Sequence, residues 1–404
     1  MFRALYVALC CVVLAAPATA QLKAPTKRPK LNVDADTNDA RQYYSYGLQQ
    51  LERDPQTAAD AFYWAARINP GWADALYARR VALLLRQPNI LQRYWFGDSR
   101  TLRSKEVRQI DSLWYQALTQ NPFLYEKLDR AIYDAWVKKW AEDYVGPGNS
   151  GAMEVQYQLQ NYLRQLDPEL RAYLAYYDGR FDDALKLWAD ATKRAKYKAY
   201  YRVLRGKLFF QTGNVDSAYT EFALALDEMR KRDKKDLVYV YESKALVEQA
   251  IGMIHERHDS LAAARDAYGR ALQEDLSYYP AHVHLGYVAL ALKDTATALN
   301  EMDLAVQIRA DDPMLHYVYG YSLGSAHKYT ECEAQLKKAA ELEPLFALPH
   351  AALGEFYEQQ NKPQDALKAY REYLARAART DTRRENIQAR VTALSAVSTS
   401  GALQ

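Results

Sequence analysis

Three histidines recur at one interval and are the first residues to consider for metal chemistry. His282, His316 and His350 are spaced 34 residues apart, and His284 lies beside the first of them. A zinc ion holds histidine nitrogens at about 2.0–2.1 Å, whereas equivalent positions on stacked helical units lie about 8–10 Å apart. One ion cannot join the three rings. We therefore interpret them as a packing position and predict no metal site.

The other candidate motifs give no catalytic or cofactor site. The pair His255 and His258 could share a helix face, but no third ligand accompanies it. The stretch 34–39, DADTND, starts like a calcium loop, yet Asp39 stands where the loop needs glycine and Ser45 where it needs glutamate. The chain has no phosphate-binding glycine loop, GxSxG or HExxH. We predict no catalytic residue, cofactor or metal.

The N-terminus reads as an export signal. A positive start precedes the apolar run 4–16, and Ala18-Thr19-Ala20 offers a cleavage site, so residues 1–20 are predicted to be a signal peptide. No second run approaches spanning length, so no integral span is expected after cleavage, while peripheral membrane association stays open. The expected location is periplasmic or secreted. The absence of Asn-x-Ser/Thr sequons favours a bacterial origin.

The composition favours an all-helical protein. The 53 basic and 50 acidic residues nearly cancel, which argues against a nucleic-acid partner. Apolar residues recur every three or four positions from about residue 39, and no convincing alternating strand pattern occurs. After signal removal Cys332 is the only cysteine, so no internal disulfide is expected, and its place among small residues predicts burial.

A 34-residue repeat organises the chain. Each repeat has a glycine or alanine, a small residue twelve positions later, and a larger apolar residue four positions beyond that. The sets are Gly252, Ala264 and Tyr268; Gly286, Ala298 and Met302; Gly320, Cys332 and Leu336; Gly354, Ala366 and Tyr370; and, upstream, Gly206, Ala218 and Phe222, and Ala172, Ala184 and Trp188. Glycine in a helix costs about 1 kcal/mol against alanine. We interpret it as a helix-crossing position, with Gly286 facing Ala298, Gly320 facing Cys332, and the larger residues filling the groove towards the next unit.

This pattern resembles the tetratricopeptide repeat, an antiparallel helix pair. The resemblance covers residues 168–378 well and 40–70 acceptably, but lacks the family's tryptophan and has about twelve extra residues at 228–239. It implies an α-solenoid, a right-handed superhelix of stacked helix pairs.

The domain boundaries follow from that resemblance. We predict a flexible arm at 21–39, an N-terminal helical region of divergent repeat-like units at 40–151 with an insertion at 93–106, and a repeat array at 152–378. A capping helix at 379–397 and a disordered tail at 398–404 complete the chain.

The resemblance also implies a concave groove lined by the first helix of each pair. The predicted partner-binding residues there are Tyr173, Tyr176, Phe210, Tyr287, Tyr317 and Tyr321, although tyrosines at these positions could equally serve packing. The groove is expected to turn acidic at Glu355 and Glu358. Of the family's carboxylate-clamping residue types only Lys207 is present, so no such clamp is predicted. A second docking element, or a loop plug, is predicted at Arg93, Tyr94, Trp95 and Phe96.

Three function hypotheses remain. The first is an exported, non-enzymatic scaffold or adaptor that binds a protein or peptide in the aromatic groove. The second is a structural or assembly subunit of a membrane-associated envelope complex. The third is an enzyme with a site in residues 72–167, which predicts a cluster of buried ionisable side chains around residues 90–150.

Overall fold

The computed structural model describes residues 22, 24–25, 27–87, 104–146, 151–166, 168–233 and 243–401. Within these ranges the regular structure is entirely α-helical, with no strand. The predicted signal peptide (1–20) and the predicted docking loop Arg93–Phe96 lie outside the described residues. Of the predicted tail, residues 398–401 belong to the last helix.

The chain folds into two compact units that interleave along the sequence. The N-terminal unit comprises residues 1–26, 47–60 and 73–260, and the C-terminal unit comprises 27–46, 61–72 and 261–404. Helices α1 (Ala40–Gln50) and α2 (Pro55–Ile68) contribute residues to both.

Nine described helices lie wholly in the N-terminal unit. They are α3 (Ala73–Leu85), α4 (Lys105–Gln120), α5 (Asp129–Val145), α6 (Ala152–Leu166), α7 (Pro168–Tyr177), α8 (Phe181–Arg194), α9 (Ala199–Gln211), α10 (Val215–Asp233) and α11 (Lys244–Arg257). From α7 to α11 each helix packs against the next one along the chain.

The C-terminal unit continues the same arrangement. Its helices are α12 (Leu261–Glu274), α13 (Tyr279–Ala291), α14 (Thr295–Ile308), α15 (Pro313–Ser325), α16 (Tyr329–Leu342), α17 (Leu348–Gln359), α18 (Pro363–Arg376) and α19 (Arg384–Gly401). From α12 to α19 each helix packs against the next one along the chain. The predicted all-α solenoid is confirmed.

The turn inside each pair uses a left-handed residue. Lys293, His327 and Asn361 have φ of 62°, 60° and 57°, and Gly179 and Gly213 take equivalent places with φ of 76° and 82°. Glycine adopts this conformation without the strain of a Cβ. After the first of these turns, Asp294 caps α14 by accepting a hydrogen bond from the amide of Thr297 at 3.1 Å.

The repeat glycines permit the two helices of a pair to approach closely, as predicted. The residues nearest to Gly286 and Gly320, however, are not the predicted Ala298 and Cys332. A Cβ on Gly286 would lie 2.9 Å from Met302 Cγ, and only then 3.3 Å from the carbonyl oxygen of Ala298. A Cβ on Gly320 would lie 2.9 Å from Leu336 Cγ and 3.1 Å from its amide nitrogen. The larger repeat residue therefore covers the glycine of its own pair. Leu336 also belongs to one buried cluster with Leu353 and Phe356 of the following pair.

The C-terminal helix α19 covers the end of the array. Ile387 and Val391 are buried and Leu394 partly buried against the core of α17 and α18. The helix begins at Arg384, five residues after the predicted start of the cap at 379.

The described part of the predicted arm, with the end of α2, lies along the inter-repeat loops of the C-terminal unit. The Asn38 amide donates to the Ala375 carbonyl oxygen at 2.9 Å, and Asp36 accepts from the Arg379 amide. Arg67 forms a bidentate ion pair with Glu343, in which Nε and Nη2 donate to the two carboxylate oxygens at 2.7 and 2.9 Å. Residues 27–46 and 61–72, from the N-terminal part of the sequence, are therefore packed in the C-terminal unit.

We predict that Gly320→Ala destabilises the protein although alanine is the better helix former. The added methyl meets the Leu336 backbone, and overpacking of this kind costs about 1–3 kcal/mol. Gly269→Ala in α12 is the matched control, because a Cβ there meets nothing within 4 Å and should add about 0.5–1 kcal/mol of stability. Urea unfolding midpoints followed by circular dichroism measure both. Equal shifts of the same sign would contradict the crossing role.

Candidate functional site

The groove of the N-terminal unit is filled by the chain itself. Residues 121–128, which we call the connector, join α4 to α5. Gln211 Nε2 on α9 donates to the Phe123 carbonyl oxygen at 2.8 Å, and the Phe123 and Phe210 rings stack at 3.5 Å and 9°. Phe123 and Leu124 are buried. A first-helix surface predicted to face a partner therefore faces this segment.

Further contacts fix the connector along the groove. Lys207 Nζ lies 3.2 Å from Glu126 Oε1, with both side chains largely shielded from water. The Tyr125 hydroxyl donates to the Tyr176 carbonyl oxygen at 2.8 Å. Near the end of α4, just before the connector, the Thr119 carbonyl oxygen accepts a hydrogen bond from Gln249 Nε2 at 2.9 Å. Side chains of three successive first helices thus engage one stretch of chain.

The exit of the connector is anchored by a buried polar cluster. The Tyr77 hydroxyl donates to Asp129 Oδ1 at 2.9 Å, and Arg80 lies 3.4 Å from the same carboxylate and 3.5 Å from Asp111. Burial raises the pKa of Asp129 to about 6, although the charge of Arg80 opposes that shift. Trp114 Nε1 donates to Glu126 at 3.0 Å and links this cluster to the Lys207 pair.

Three of the six predicted partner-binding residues therefore pack inside the N-terminal unit and do not face a partner. Tyr173 and Tyr176 are 4% and 2% exposed, and their rings lie 5.6 and 5.3 Å from that of Trp188. Phe210 is stacked on Phe123 as described above. Their first-helix positions agree with the prediction, but their surfaces serve internal packing. The sequence offered no local signal for a segment about 50–90 residues upstream.

The other three predicted residues lie in the C-terminal unit. Tyr287 on α13 and Tyr321 on α15 are each 44% exposed. Tyr317 is partly buried, with its ring 6.3 Å from Tyr321 and 5.4 Å from Phe346. Tyr321 also lies 5.6 Å from Phe356 on α17. The rings of Tyr317 and Tyr321 form a partly open aromatic surface backed by the buried Phe346 and Phe356, and Tyr287 lies one pair earlier with its ring 6.3 Å from that of His284.

The acidic end predicted for this groove is partly neutralised by α19. Arg390 reaches Glu358 Oε2 with two nitrogens at 2.8 and 3.0 Å, and the Tyr370 hydroxyl donates to the same oxygen at 2.8 Å. Burial raises the pKa of Glu355, while the nearby charge of Arg383 opposes that rise. The surface beside the tyrosines is consequently mixed in charge.

The histidine ladder couples each repeat to the loop before it. His282 Nδ1 lies 2.7 Å from Glu301 Oε2, and Nε2 lies 3.1 Å from the Leu276 carbonyl oxygen. His316 repeats this arrangement with Gln335 and Ala310, at 2.6 and 3.0 Å. Both ring nitrogens are engaged within the fold, as a packing role predicts, but the partners nineteen positions later were not foreseen.

The third histidine lacks that acceptor because Ala369 stands nineteen positions after His350. Burial and the charge of Arg376 lower the pKa of His350 to about 4. At His282, burial lowers the pKa, but the hydrogen bonds to Glu301 and Leu276 outweigh it and leave a net rise above 6.5. Equivalent positions therefore respond to pH in opposite directions.

The remaining candidates show no assembled chemistry. Within the described ranges, no three His, Cys, Asp or Glu side chains come together as a metal site. Cys332 is buried, and burial raises the pKa of its thiol to about 12. His255 lies against Tyr219, with ring centroids 5.2 Å apart, and Asp39 pairs with Arg41. No helix in the part of the chain that the structure describes is long and apolar enough to cross a membrane.

Comparison with protein families identifies two stretches of the helical array. Residues 170–233 and 250–313 match the family model described as tetratricopeptide repeat. These two stretches are tetratricopeptide repeats. They contain Gly206, Gly252 and Gly286, and also His282 of the histidine ladder.

One curated relative matches a short part of the sequence. Protein O-mannosyl-transferase Tmtc1 from Drosophila melanogaster is 30% identical over 87 residues, which are 21% of this chain and 10% of that protein. The match spans about a tenth of the relative, so the activity in its name does not transfer to this repeat protein.

Solved structures give distant likenesses. YrrB, titled a TPR protein with an unusual peptide-binding site, is 18% identical, with 48% of this chain and 93% of that chain covered and a TM-score of 0.39. The C-terminal part of a TPR repeat-containing protein from Cytophaga hutchinsonii is 14% identical, with 51% and 77% covered and a TM-score of 0.42. MamA is 14% identical, with 42% and 93% covered and a TM-score of 0.36. At TM-scores below 0.5, nothing about function is inferred from them.

We predict opposite pH effects for two ladder positions. Because the folded state holds His350 neutral down to about pH 4, its contribution to stability falls as pH drops from 6.5 to 4. His282 binds its proton more tightly when folded, so its contribution is full below pH 6.5 and is lost as pH rises through its raised pKa.

The measurement is the urea midpoint of the wild type, His350→Phe and His282→Phe from pH 4 to 8. The His350→Phe protein should lose less stability than the wild type on acidification. The deficit of His282→Phe should be largest at acidic pH and shrink above pH 6.5. Parallel pH profiles for all three proteins would refute the assignment.

Proposed function

We propose that this protein is a non-enzymatic scaffold that binds a protein or peptide partner on the aromatic surface of Tyr287, Tyr317 and Tyr321. The observation that carries the proposal is the 44% exposure of Tyr287 and Tyr321 on successive first helices. A stiff ring with a polar tip provides large contact area at little entropic cost, and tyrosine is enriched among residues that dominate interface energies.

The contrast between the two units supports this choice of surface. In the N-terminal unit the corresponding residue Lys207 is paired with Glu126 of the connector, and the corresponding Tyr173 is buried beside Trp188. In the C-terminal unit Tyr287 and Tyr321 stand at equivalent repeat positions and keep accessible ring surface. The mixed charge from Glu355, Arg383 and Arg390 beside them suits a partner segment with an aromatic or aliphatic anchor and polar flanks.

The enzyme hypothesis predicted a cluster of buried ionisable residues around 90–150, and such a cluster exists. It consists of the buried Tyr77, Arg80 and Lys207 together with the partly buried carboxylates of Asp111, Glu126 and Asp129. Each charged group in it lies within 3.5 Å of an opposite charge. We assign it to anchoring the connector, because its carboxylates are paired with Arg80 or Lys207 within the fold and the loss of one partner would leave an uncompensated charge.

The proposed location is the periplasm or the exterior, on the sequence of residues 1–20 alone. The alternative of a subunit in a membrane-associated complex shares the same partner surface. It differs in predicting that the processed protein co-purifies with membranes, whereas a free adaptor stays in the soluble extract.

The test begins with a photoreactive residue placed at 287, 321 or 219 in the full-length protein. Tyr219 is the control, because it is 40% exposed but lies on α10, the second helix of its pair. We expect one partner to be captured from positions 287 and 321 and not from 219.

Binding of that purified partner then decides the proposal. Replacing both Tyr287 and Tyr321 by alanine should weaken binding at least about tenfold, since each interface tyrosine can contribute about 1–2 kcal/mol or more. Tyr219→Ala should bind as the wild type does. Unchanged affinity in a double variant with wild-type helicity and unfolding midpoint would reject the groove assignment.

A further inference from the structure

We propose that the junction between α8 and α9 is a surface that docks the protein on a membrane of anionic phospholipid. We call this surface the basic junction and define it by five residues, Lys193, Arg194, Lys196, Tyr197 and Lys198. It belongs to the N-terminal unit, and its ligand is a layer of lipid headgroups. It is separate from the partner surface proposed for the C-terminal unit, so either proposal can fail while the other holds.

The charge of this stretch differs from that of the rest of the chain. From residue 191 to 207 there are seven basic residues and no acidic one, whereas the whole chain has 53 basic and 50 acidic residues. Three of the seven are paired inside the fold. Arg202 and Arg205 lie 3.4 and 2.9 Å from Glu221, and Lys207 lies 3.2 Å from Glu126. The other four belong to the basic junction.

These four cations are accessible to a ligand. Lys193, Arg194 and Lys196 are exposed, and Lys198 is partly exposed. Asp190 lies 3.1 Å from Lys193, in a pair whose side chains are 76% and 53% exposed for lysine and aspartate. An ion pair this open to water is weak, so Lys193 can exchange Asp190 for another anion.

Local structure accounts for only part of this charge. Lys193 and Arg194 lie in the last turn of α8, where cations are favourable because the carbonyl end of a helix is negative. Lys196 follows the end of that helix, and Lys198 is the N-cap residue of α9, at the positive end of a helix dipole. A cation there is unfavourable for the fold, which indicates that its charge serves another purpose.

The repeat architecture does not require basic residues at such a junction either. The equivalent junctions of the C-terminal unit lie between α12 and α13, α14 and α15, and α16 and α17. They carry acidic residues, Asp275, Asp312 and Glu343 respectively. The basic junction is therefore a property of one place in the array and not of the repeat.

Tyr197 adds an aromatic ring to the same surface. The guanidinium carbon of Arg232, in the last turn of α10, lies 4.0 Å from the ring centroid, and Lys196 Nζ lies 5.3 Å from it. The ring is nevertheless 42% exposed. Residues 227–233 hold three acidic and three basic side chains, so this end of α10 adds no net charge.

An aromatic ring among lysine and arginine side chains suits a membrane surface. Tyrosine is enriched at the level of the lipid headgroups, and lysine and arginine extend their charged ends to the phosphates while their stems stay on apolar surface. Anionic lipid attracts a cluster of basic residues by about fivefold in affinity for each residue near the surface. The near-neutral chain as a whole argues against a nucleic acid as the anion.

The experiment is co-flotation of the protein, purified after removal of the predicted signal peptide, with phospholipid vesicles. We expect binding to phosphatidylcholine vesicles that contain phosphatidylglycerol, and at least tenfold weaker binding to vesicles of phosphatidylcholine alone. Raising the salt from about 0.05 to 0.5 M should weaken the first binding at least tenfold, because it shortens the range of the attraction. No binding to the anionic vesicles, or equal binding to both kinds, overturns the proposal.

A matched pair of variants locates the binding. The quadruple variant Lys193→Gln, Arg194→Gln, Lys196→Gln and Lys198→Gln should bind anionic vesicles at least about a hundredfold more weakly. The control removes four exposed lysines of the C-terminal unit by Lys293→Gln, Lys328→Gln, Lys362→Gln and Lys368→Gln. It changes the net charge equally and should bind as the wild type does. An equal loss in both variants, or no loss in the first, overturns the proposal.

Two further measurements keep the result decisive. If the quadruple variant lacks wild-type helicity, the double variants Lys193→Gln with Arg194→Gln and Lys196→Gln with Lys198→Gln replace it. Each should weaken binding about twentyfold, and wild-type binding by both overturns the proposal. A polyglutamate peptide tests for an acidic protein segment as the true ligand. If the wild type binds that peptide but not the anionic vesicles, the assignment to lipid is wrong.

Discussion

The close crossing of the two helices in each repeat is the constraint on which the rest of the structure depends. At Gly320 a side chain would strike the Leu336 backbone, and at Gly206 the Phe222 ring lies where a Cβ would need space. Once the crossing is fixed, so is the direction of the next residue on the first helix. Lys207, Tyr287 and Tyr321 each follow a crossing glycine by one position. The same place in the repeat therefore carries a buried cation in one unit and half-exposed tyrosines in the other.

That difference is the physical basis of the functional account. In the N-terminal unit, Lys207 and Gln211 are committed to the connector, and the Tyr77–Arg80–Asp129 cluster holds its exit. The groove there is used to join divergent N-terminal helices to regular repeats. In the C-terminal unit, aromatic surface of the same repeat position remains accessible. One architecture thus supports internal assembly in one part of the chain and, we propose, partner binding in the other.

Most of the fold could be predicted from sequence because its controlling contacts are local and periodic. Glycine at 34-residue intervals located the helix pairs, and Ile387 and Val391 marked the buried face of the last helix. The destination of the connector could not be predicted, since Phe123 and Gln211 are 88 positions apart and no repeat links them. The left-handed turns at Lys293, His327 and Asn361 could not be predicted, because these positions lack the glycine that indicates the same turn at 179 and 213. The hydrogen-bond partners of His282 and His316 could not be predicted, because Glu301 and Gln335 are different residue types at the same repeat position and show no common pattern in the sequence.

We propose that the N-terminal groove is closed by the connector and that the aromatic surface of the C-terminal unit is open. Hydroxyl-radical footprinting of the native full-length protein, read tyrosine by tyrosine with mass spectrometry, tests this most directly. We predict ready modification of Tyr287 and Tyr321, and strong protection of Tyr173 and Tyr176, with the exposed Tyr219 as the reference. Modification of Tyr176 at the rate of Tyr219, or protection of Tyr287 and Tyr321 in the isolated protein, would contradict it.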